Sequence, residues 1–171
     1  RPSSRLVPGP FRIVRHPAAM RLLLSCALLL VVAYAAVVAY LYWRQDHYLF
    51  PAQTVRMTAA EAGLADMQDL ELRTGDGERL VAWWRPPAPG RALILYFHGN
   101  GGSLANRRAR ARALLADGRG LLMVSYRGYS GSSGRPSEAG LKLDAEAAYA
   151  YLASYEPRRI VVYGESLGTG V

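Results

Sequence analysis

The sequence predicts an α/β fold, a mainly parallel sheet preceded by one transmembrane helix. Three observations carry that prediction. Apolar runs of buried-strand character, RALILYFH (91–98), GLLMVSY (120–126) and RIVVYG (159–164), alternate with helical stretches at 104–117 and 138–154. Strands apolar throughout and separated by helices describe a parallel sheet covered on both faces. Each run leads at its C-terminal end into a Gly-rich loop: HGNGGS (98–103), RGYSGSSGRPS (127–137) and GESLGTG (164–170). Finally, residues 22–43 contain no charge.

That uncharged segment comes first in the chain. At 1.5 Å per residue it reaches about 33 Å, enough for a hydrocarbon layer of about 30 Å. Tyr40, Tyr42 and Trp43 gather at one end, as an interfacial aromatic belt would. A cleaved signal peptide is the rival reading, with Ala33-Tyr34-Ala35 as the small-residue site, but apolar residues run on to Trp43. Leu23-Leu24-Ser25-Cys26 is no lipoprotein box, since few apolar residues precede Cys26 and many follow. With one cysteine no intramolecular disulfide forms, and Cys26 reads as a small apolar membrane residue.

The net charge of +8 is unevenly placed. Residues 1–21 form a Pro- and Arg-rich tail with Arg1, Arg5, Arg12, Arg15 and Arg21 and no acid. A basic flank before the first helix predicts a cytoplasmic N-terminus, with the following domain on the periplasmic or extracytoplasmic side. The tail therefore reports topology, not nucleic-acid binding. Arg107, Arg108, Arg110 and Arg112 spread around a helix without interleaved aromatics and read as a solvated face.

Residues 44–66 read as a juxtamembrane connector, broken at Pro51 and holding a short amphipathic piece near TAAEAGLADM. From 67 to 171 the strand and helix pattern begins. DLELRT (69–74) and RLVAWWRP (79–86), joined through Gly75-Asp76-Gly77, read as a hairpin, followed by the PPAPG loop (86–90).

Open parallel sheets bind ligands at the carboxyl ends of their strands, so the three glycine loops converge where a site belongs. Gly164-Glu165-Ser166-Leu167-Gly168 has the form of a nucleophile elbow. By itself Gly-x-Ser-x-Gly is weak, arising by chance in roughly one such chain in ten. Its setting, directly after the strand IVVY and before small residues able to start a helix, strengthens it. Such a turn holds Ser166 in a strained conformation while Gly164 and Gly168 let neighbouring chain pass close by. The Leu167 amide then points into the site at a helix N-terminus. The competing reading is a Gly-rich turn with a buried serine. A phosphate loop is excluded, because no Lys-Ser/Thr follows the glycines.

His98-Gly99-Asn100-Gly101-Gly102 supplies the second half of such a site. A tetrahedral intermediate needs two amide donors, the second from the loop after the third strand. The Asn100 amide is the first choice and the Gly101 amide the alternative; one such donor is worth about 3 kcal/mol of transition-state stabilisation. A dinucleotide loop is disfavoured: Gly-x-Gly-x-x-Gly would need glycine at 104, which is Leu104.

Taken together, YFHGNGGS, VSYRGYSGSSGRPS and YGESLGTG resemble successive signatures of the α/β-hydrolase superfamily, and most resemble its membrane-anchored serine hydrolases. The likeness covers roughly residues 44–171. It implies the N-terminal part of an α/β-hydrolase fold, with Ser166 as nucleophile, Asn100 and Leu167 as oxyanion-hole amides, and His98, Gly99, Gly164 and Gly168 as structural residues of the site. It implies a small-molecule or lipid acyl substrate, with ester, thioester or amide cleavage through an acyl-enzyme, and no metal or organic cofactor. The membrane would be met through residues 22–43. A serine peptidase is the alternative among enzymes, and a non-catalytic binding or scaffold protein the alternative outside them.

In this fold the acid and the histidine of the triad follow the serine along the chain. Only LGTGV follows Ser166, and the chain does not begin with Met. Both ends are expected to be cut, with the base on sequence beyond residue 171. His16 lies in the tail, His47 beside the membrane, and His98 reads as a loop-positioning residue; Glu165 reads as loop and Asp144 as helix surface. The strand before the elbow is expected to be central, flanked by a later strand. Residues 1–171 expressed alone are accordingly expected neither to fold well nor to turn over substrate; a monodisperse, active product on size exclusion and esterase assay would overturn this.

Overall fold

The computed structural model describes residues 17–155 and 159–171. Most of the basic tail, with Arg1, Arg5, Arg12, Arg15 and His16, lies outside them. The chain divides into two compact units, up to Arg44 and from Gln45 to Val171.

Helix α1 spans Pro17–Leu49 and buries no residue. Its 33 residues include an 18-residue window with a mean hydropathy of 2.7, so it is long and apolar enough to cross a membrane. It continues past the uncharged run because nothing before Pro51 breaks it, and the residue ahead of a proline is driven out of the helical region. Pro17 at its start costs little, since the first helical amides lack partners anyway. After Pro51, the stretch around TAAEAGLADM forms a turn. Thr58 donates from its amide and hydroxyl to Glu61 Oε2 at 2.8 and 2.9 Å, and the Glu61 amide returns to Thr58 Oγ1 at 3.2 Å. That turn buries Ala59, Ala62, Leu64 and Met67.

Five strands form one sheet: β1 (Gln68–Arg73), β2 (Arg79–Arg85), β3 (Leu93–Phe97), β4 (Gly120–Val124) and β5 (Ile160–Gly164), in the order β1-β2-β4-β3-β5. The predicted hairpin is present, with β1 and β2 antiparallel, and β2 also runs antiparallel to β4. Strands β3, β4 and β5 are mutually parallel, with Phe97 opposite Val124 on one side and Gly164 on the other. This register brings the C-terminal ends of all three apolar strands level.

Alternate side chains of each strand feed two cores. One holds Leu80, Ala82, Trp84, Leu95, Phe97, Leu122 and Val124 against α3 (Glu138–Tyr155), which contributes Leu141, Ala148 and Leu152 at helical spacing. The other holds Trp83, Ile94, Tyr96, Leu121 and Met123 against α2 (Arg108–Leu115), through Ala111 and Leu115. A 3₁₀ turn, Leu104–Arg107, precedes α2. Strands β3 and β4 are buried along their whole length, as their unbroken apolar composition requires. Strand β5 lies at the sheet edge with Val161 and Val162 more than half exposed, so the expected later neighbour is absent among the described residues.

One buried charge cluster ties the layers together. Arg127, at the head of the loop after β4, donates through its amide and Nε to Asp144 on α3 at 2.7 and 2.8 Å. Its Nη1 and Nη2 grip Asp76, in the β1–β2 turn, at 2.8 and 3.1 Å. Asp144 is therefore no surface residue: it is fully buried, on the stripe that carries Leu141 and Ala148. Hydrogen bonding to Arg127 holds the Asp76 carboxyl down to about 2, and Asp76 and Asp144 together hold the guanidinium well above its ordinary value. Removing one partner of a buried pair leaves the other uncompensated. Asp144→Ala is therefore expected to cost about 3–5 kcal/mol in denaturant unfolding of the full-length protein. Glu138→Ala, which breaks only the exposed pair with Lys142, is expected to stay within about 0.5 kcal/mol.

Candidate active site

The elbow begins as a continuation of the sheet. The Glu165 amide donates to the Phe97 carbonyl at 3.0 Å, and the chain then reverses at Ser166, whose φ is 50°. Few non-glycine residues adopt this left-handed conformation, so the backbone is strained at the serine itself. A 3₁₀ turn, Ser166–Thr169, follows in place of the expected helix start, closed by the Gly168 amide on the Glu165 carbonyl at 2.9 Å. The two glycines are required by proximity. A Cβ on Gly164 would overlap the Gly168 carbonyl, and a Cβ on Gly168 would overlap the Phe97 carbonyl. Ser166 itself is exposed to solvent.

The loop after β3 lies against this turn. A Cβ at Gly99 would stand 3.3 Å from the Glu165 carbonyl oxygen and 3.5 Å from the Ser166 Cβ. His98 is buried beneath, with its ring centroid 4.3 Å from that of Tyr126 and 5.4 Å from that of Tyr129. Its Nδ1 lies 2.8 Å from the Gly99 carbonyl, which can only accept, so Nδ1 carries the proton. Its main-chain carbonyl accepts from the Tyr126 hydroxyl at 3.0 Å. The Gly101 amide donates to Asn100 Oδ1 at 3.0 Å and is thereby turned into its own loop. The third loop arrives through Tyr129, whose hydroxyl lies 2.8 Å from Asn100 Oδ1. Three strand ends thus deliver Ser166, the Asn100 loop and Tyr129 to one place.

Glu165 and two of the helix arginines take part in this architecture, which their reading as loop and solvated face missed. Tyr96 on β3 donates to Glu165 Oε2 at 2.6 Å, while Arg107 and Arg110 bring Nε to 3.7 and 3.9 Å from its two carboxylate oxygens. Arg107 also reaches the Gly101 carbonyl at 3.5 Å, linking the elbow to the facing loop. Burial, then the hydrogen bond to Glu165, pushes the Tyr96 phenol well above its usual range, so it remains a donor. Tyr96 was legible only as an apolar strand residue; its partner lies 69 residues away in the chain. Among the described residues no three His, Cys, Asp or Glu side chains gather as metal ligands.

Burial lowers the pKa of His98 to about 4, from an ordinary 6.5. For a depressed histidine the unfolded chain takes the proton first. The stability contribution is full above pH 6.5 and disappears as pH falls from 6.5 toward 4, at about 1.4 kcal/mol per pH unit. Denaturant unfolding of the full-length protein at pH 7, 6 and 5 is expected to show this slope and His98→Asn to flatten it. An equal slope in both would contradict a buried neutral ring.

No family model matches the chain. It is 36% identical over 156 residues to the uncharacterized protein Rv2307c of Mycobacterium tuberculosis strain H37Rv, covering 85% of this chain and 56% of that protein. With the alpha/beta hydrolase domain-containing protein WAV2 of Arabidopsis thaliana it shares 38% identity over 110 residues, 61% of this chain and 36% of that one. Among solved structures, the esterase Pf2001 of Pyrococcus furiosus superposes with a TM-score of 0.56 at 25% identity, over 70% of this chain and 46% of the esterase. The chain spans about half the length of the Mycobacterium relative. The sheet order, the glycine loops at its strand ends and these likenesses agree: the chain belongs to the α/β-hydrolase superfamily.

Proposed function

We propose that the protein to which this chain belongs is a membrane-anchored serine hydrolase, cleaving ester, thioester or amide bonds through an acyl-enzyme. One observation supports this above the others. Ser166 takes a left-handed backbone conformation at the end of a parallel strand, directly beside the glycine loop that follows β3. Strain at a non-glycine residue persists only where surrounding structure over-determines it.

In this reading the Ser166 hydroxyl oxygen attacks a carbonyl carbon and gives its proton to a histidine on sequence beyond residue 171. That histidine is oriented by an acid from the same region. The negative charge that develops on the carbonyl oxygen is held by the Asn100 and Leu167 amides. Collapse of the intermediate breaks the bond to the leaving group, which takes the proton from the histidine. Water, deprotonated by the same base, then attacks the acyl-enzyme and restores the serine. His98 is no substitute base: it is buried and its Nδ1–H is committed to Gly99. The likeness to Pf2001, an esterase, agrees with carbonyl chemistry.

Helix α1 would anchor the enzyme, with the basic flank on the cytoplasmic side and the hydrolase domain opposite. That location favours an acyl lipid or an acylated protein as substrate. The test is fluorophosphonate labelling of membranes holding the full-length protein. A labelled band abolished in Ser166→Ala is expected. Absence of label on folded wild-type protein would favour the binding or scaffold reading instead.

A further inference from the structure

The side chain of Asn100 has an orientation that its three partners dictate. The Leu49 carbonyl, at the last residue of α1, can only accept, so the amide group faces it, with Nδ2 at 2.5 Å. That carbonyl is one of the four left without an intrahelical partner at a helix C-terminus. The Gly101 amide can only donate, so Oδ1 faces it at 3.0 Å. With Oδ1 an acceptor, the Tyr129 hydroxyl at 2.8 Å must be the donor. Burial raises the pKa of the Tyr129 phenol, so it keeps the proton it donates.

The surrounding backbone repeats the connection. Ala52 bridges Gly102 in parallel, and the Ser130 amide donates to the Gln53 carbonyl at 2.7 Å. Ser130 Oγ in turn accepts from the Leu104 amide at 3.3 Å. Residues 49–53 therefore run between the loop after β3 and the loop after β4, joined to both. Asn100 is exposed while Tyr129 is fully buried, so the tyrosine is the fixed post and the asparagine the element held by it.

We propose that Tyr129 is a positioning residue of the candidate active site, and that the Asn100 side chain is its relay. Held between the Tyr129 hydroxyl and the Leu49 carbonyl, Asn100 keeps its own backbone amide aimed at the oxyanion and draws the neighbouring Gly101 amide away. The inference rests on the serine-hydrolase reading above and adds to it two side-chain roles. It also makes the end of α1 part of the oxyanion loop's support.

A hydroxyl that acts through Asn100 has a distinctive signature. Steady-state hydrolysis of a p-nitrophenyl acyl ester is measured on the full-length protein in detergent, with Tyr129→Phe, Asn100→Ala and the double variant. Tyr129→Phe keeps the ring packing and is expected to lower kcat about fivefold with KM unchanged, the worth of one hydrogen bond felt in the transition state. Asn100→Ala is expected to lower kcat further, and adding Tyr129→Phe to it should change nothing. An unchanged kcat in Tyr129→Phe, or the same fivefold loss in the Asn100→Ala background, overturns the proposal. If Tyr129→Phe fails to accumulate, Asn100→Asp carries the test. It retains Oδ1 for Tyr129 and Gly101 but sets a charged oxygen against the Leu49 carbonyl, so kcat should fall about tenfold; wild-type kcat would overturn the relay. A wild-type protein that neither hydrolyses ester nor takes up fluorophosphonate defeats the hydrolase reading itself. A labelled wild type with indifferent variants defeats only this inference.

Discussion

The site depends on a steric constraint at the crossing of the elbow and the end of β3. Phe97, Gly164 and Gly168 bring their backbones so close that a methyl group at either glycine would overlap a carbonyl oxygen. Because that approach is available, the Glu165 amide can reach the Phe97 carbonyl and extend the sheet by one more bond. The chain must then reverse within one residue, and Ser166 takes the positive φ that the reversal needs. Such a conformation costs of order 1–3 kcal/mol. The fully apolar pairing of β3 with β4 and β5 supplies the rigid frame that sustains it.

Around this crossing the charges act as fasteners. Arg127 joins the β1–β2 turn, the loop after β4 and α3 through one guanidinium. Glu165 joins the elbow to β3 and to the start of α2 through Tyr96, Arg107 and Arg110. Each cluster is partly or wholly withdrawn from water, where the loss of one partner costs more than the pair contributes. Loops rich in glycine have little intrinsic order, and these polar anchors, with the Tyr129–Asn100 contact, give the three loops a single arrangement.

Much of this was legible in the sequence for identifiable reasons. Strands β3 and β4 stand out because burial on both faces demands unbroken apolar runs, and β5 has the same apolar composition. Helix α3 was legible as the helical stretch between two apolar runs. The elbow was legible because its residue types are dictated locally, with glycine where Cβ atoms would collide. Residues read as surface were the ones misplaced. Asp144 shares a helix face with Leu141 and Ala148, but a charged residue on that stripe reads as exposed until Arg127 is seen opposite. Arg107 and Arg110 look like a solvated face because Glu165 lies more than fifty residues away in the chain. Helix α1 runs beyond the uncharged segment to Leu49, since no residue before Pro51 stops it.

What the sequence by itself determined is what short-range physics sets: the apolar helix, the alternation of buried strands with helices, the hairpin, and the glycine pattern that allows a reversal at Ser166. Only the tertiary structure decided the strand order, the burial of Asp144 with Arg127, and the path of residues 49–53 between the two site loops. These depend on which distant groups meet once the sheet has formed. A hydrogen bond or a buried ion pair between residues 17, 29 or 69 positions apart leaves no local pattern in the chain.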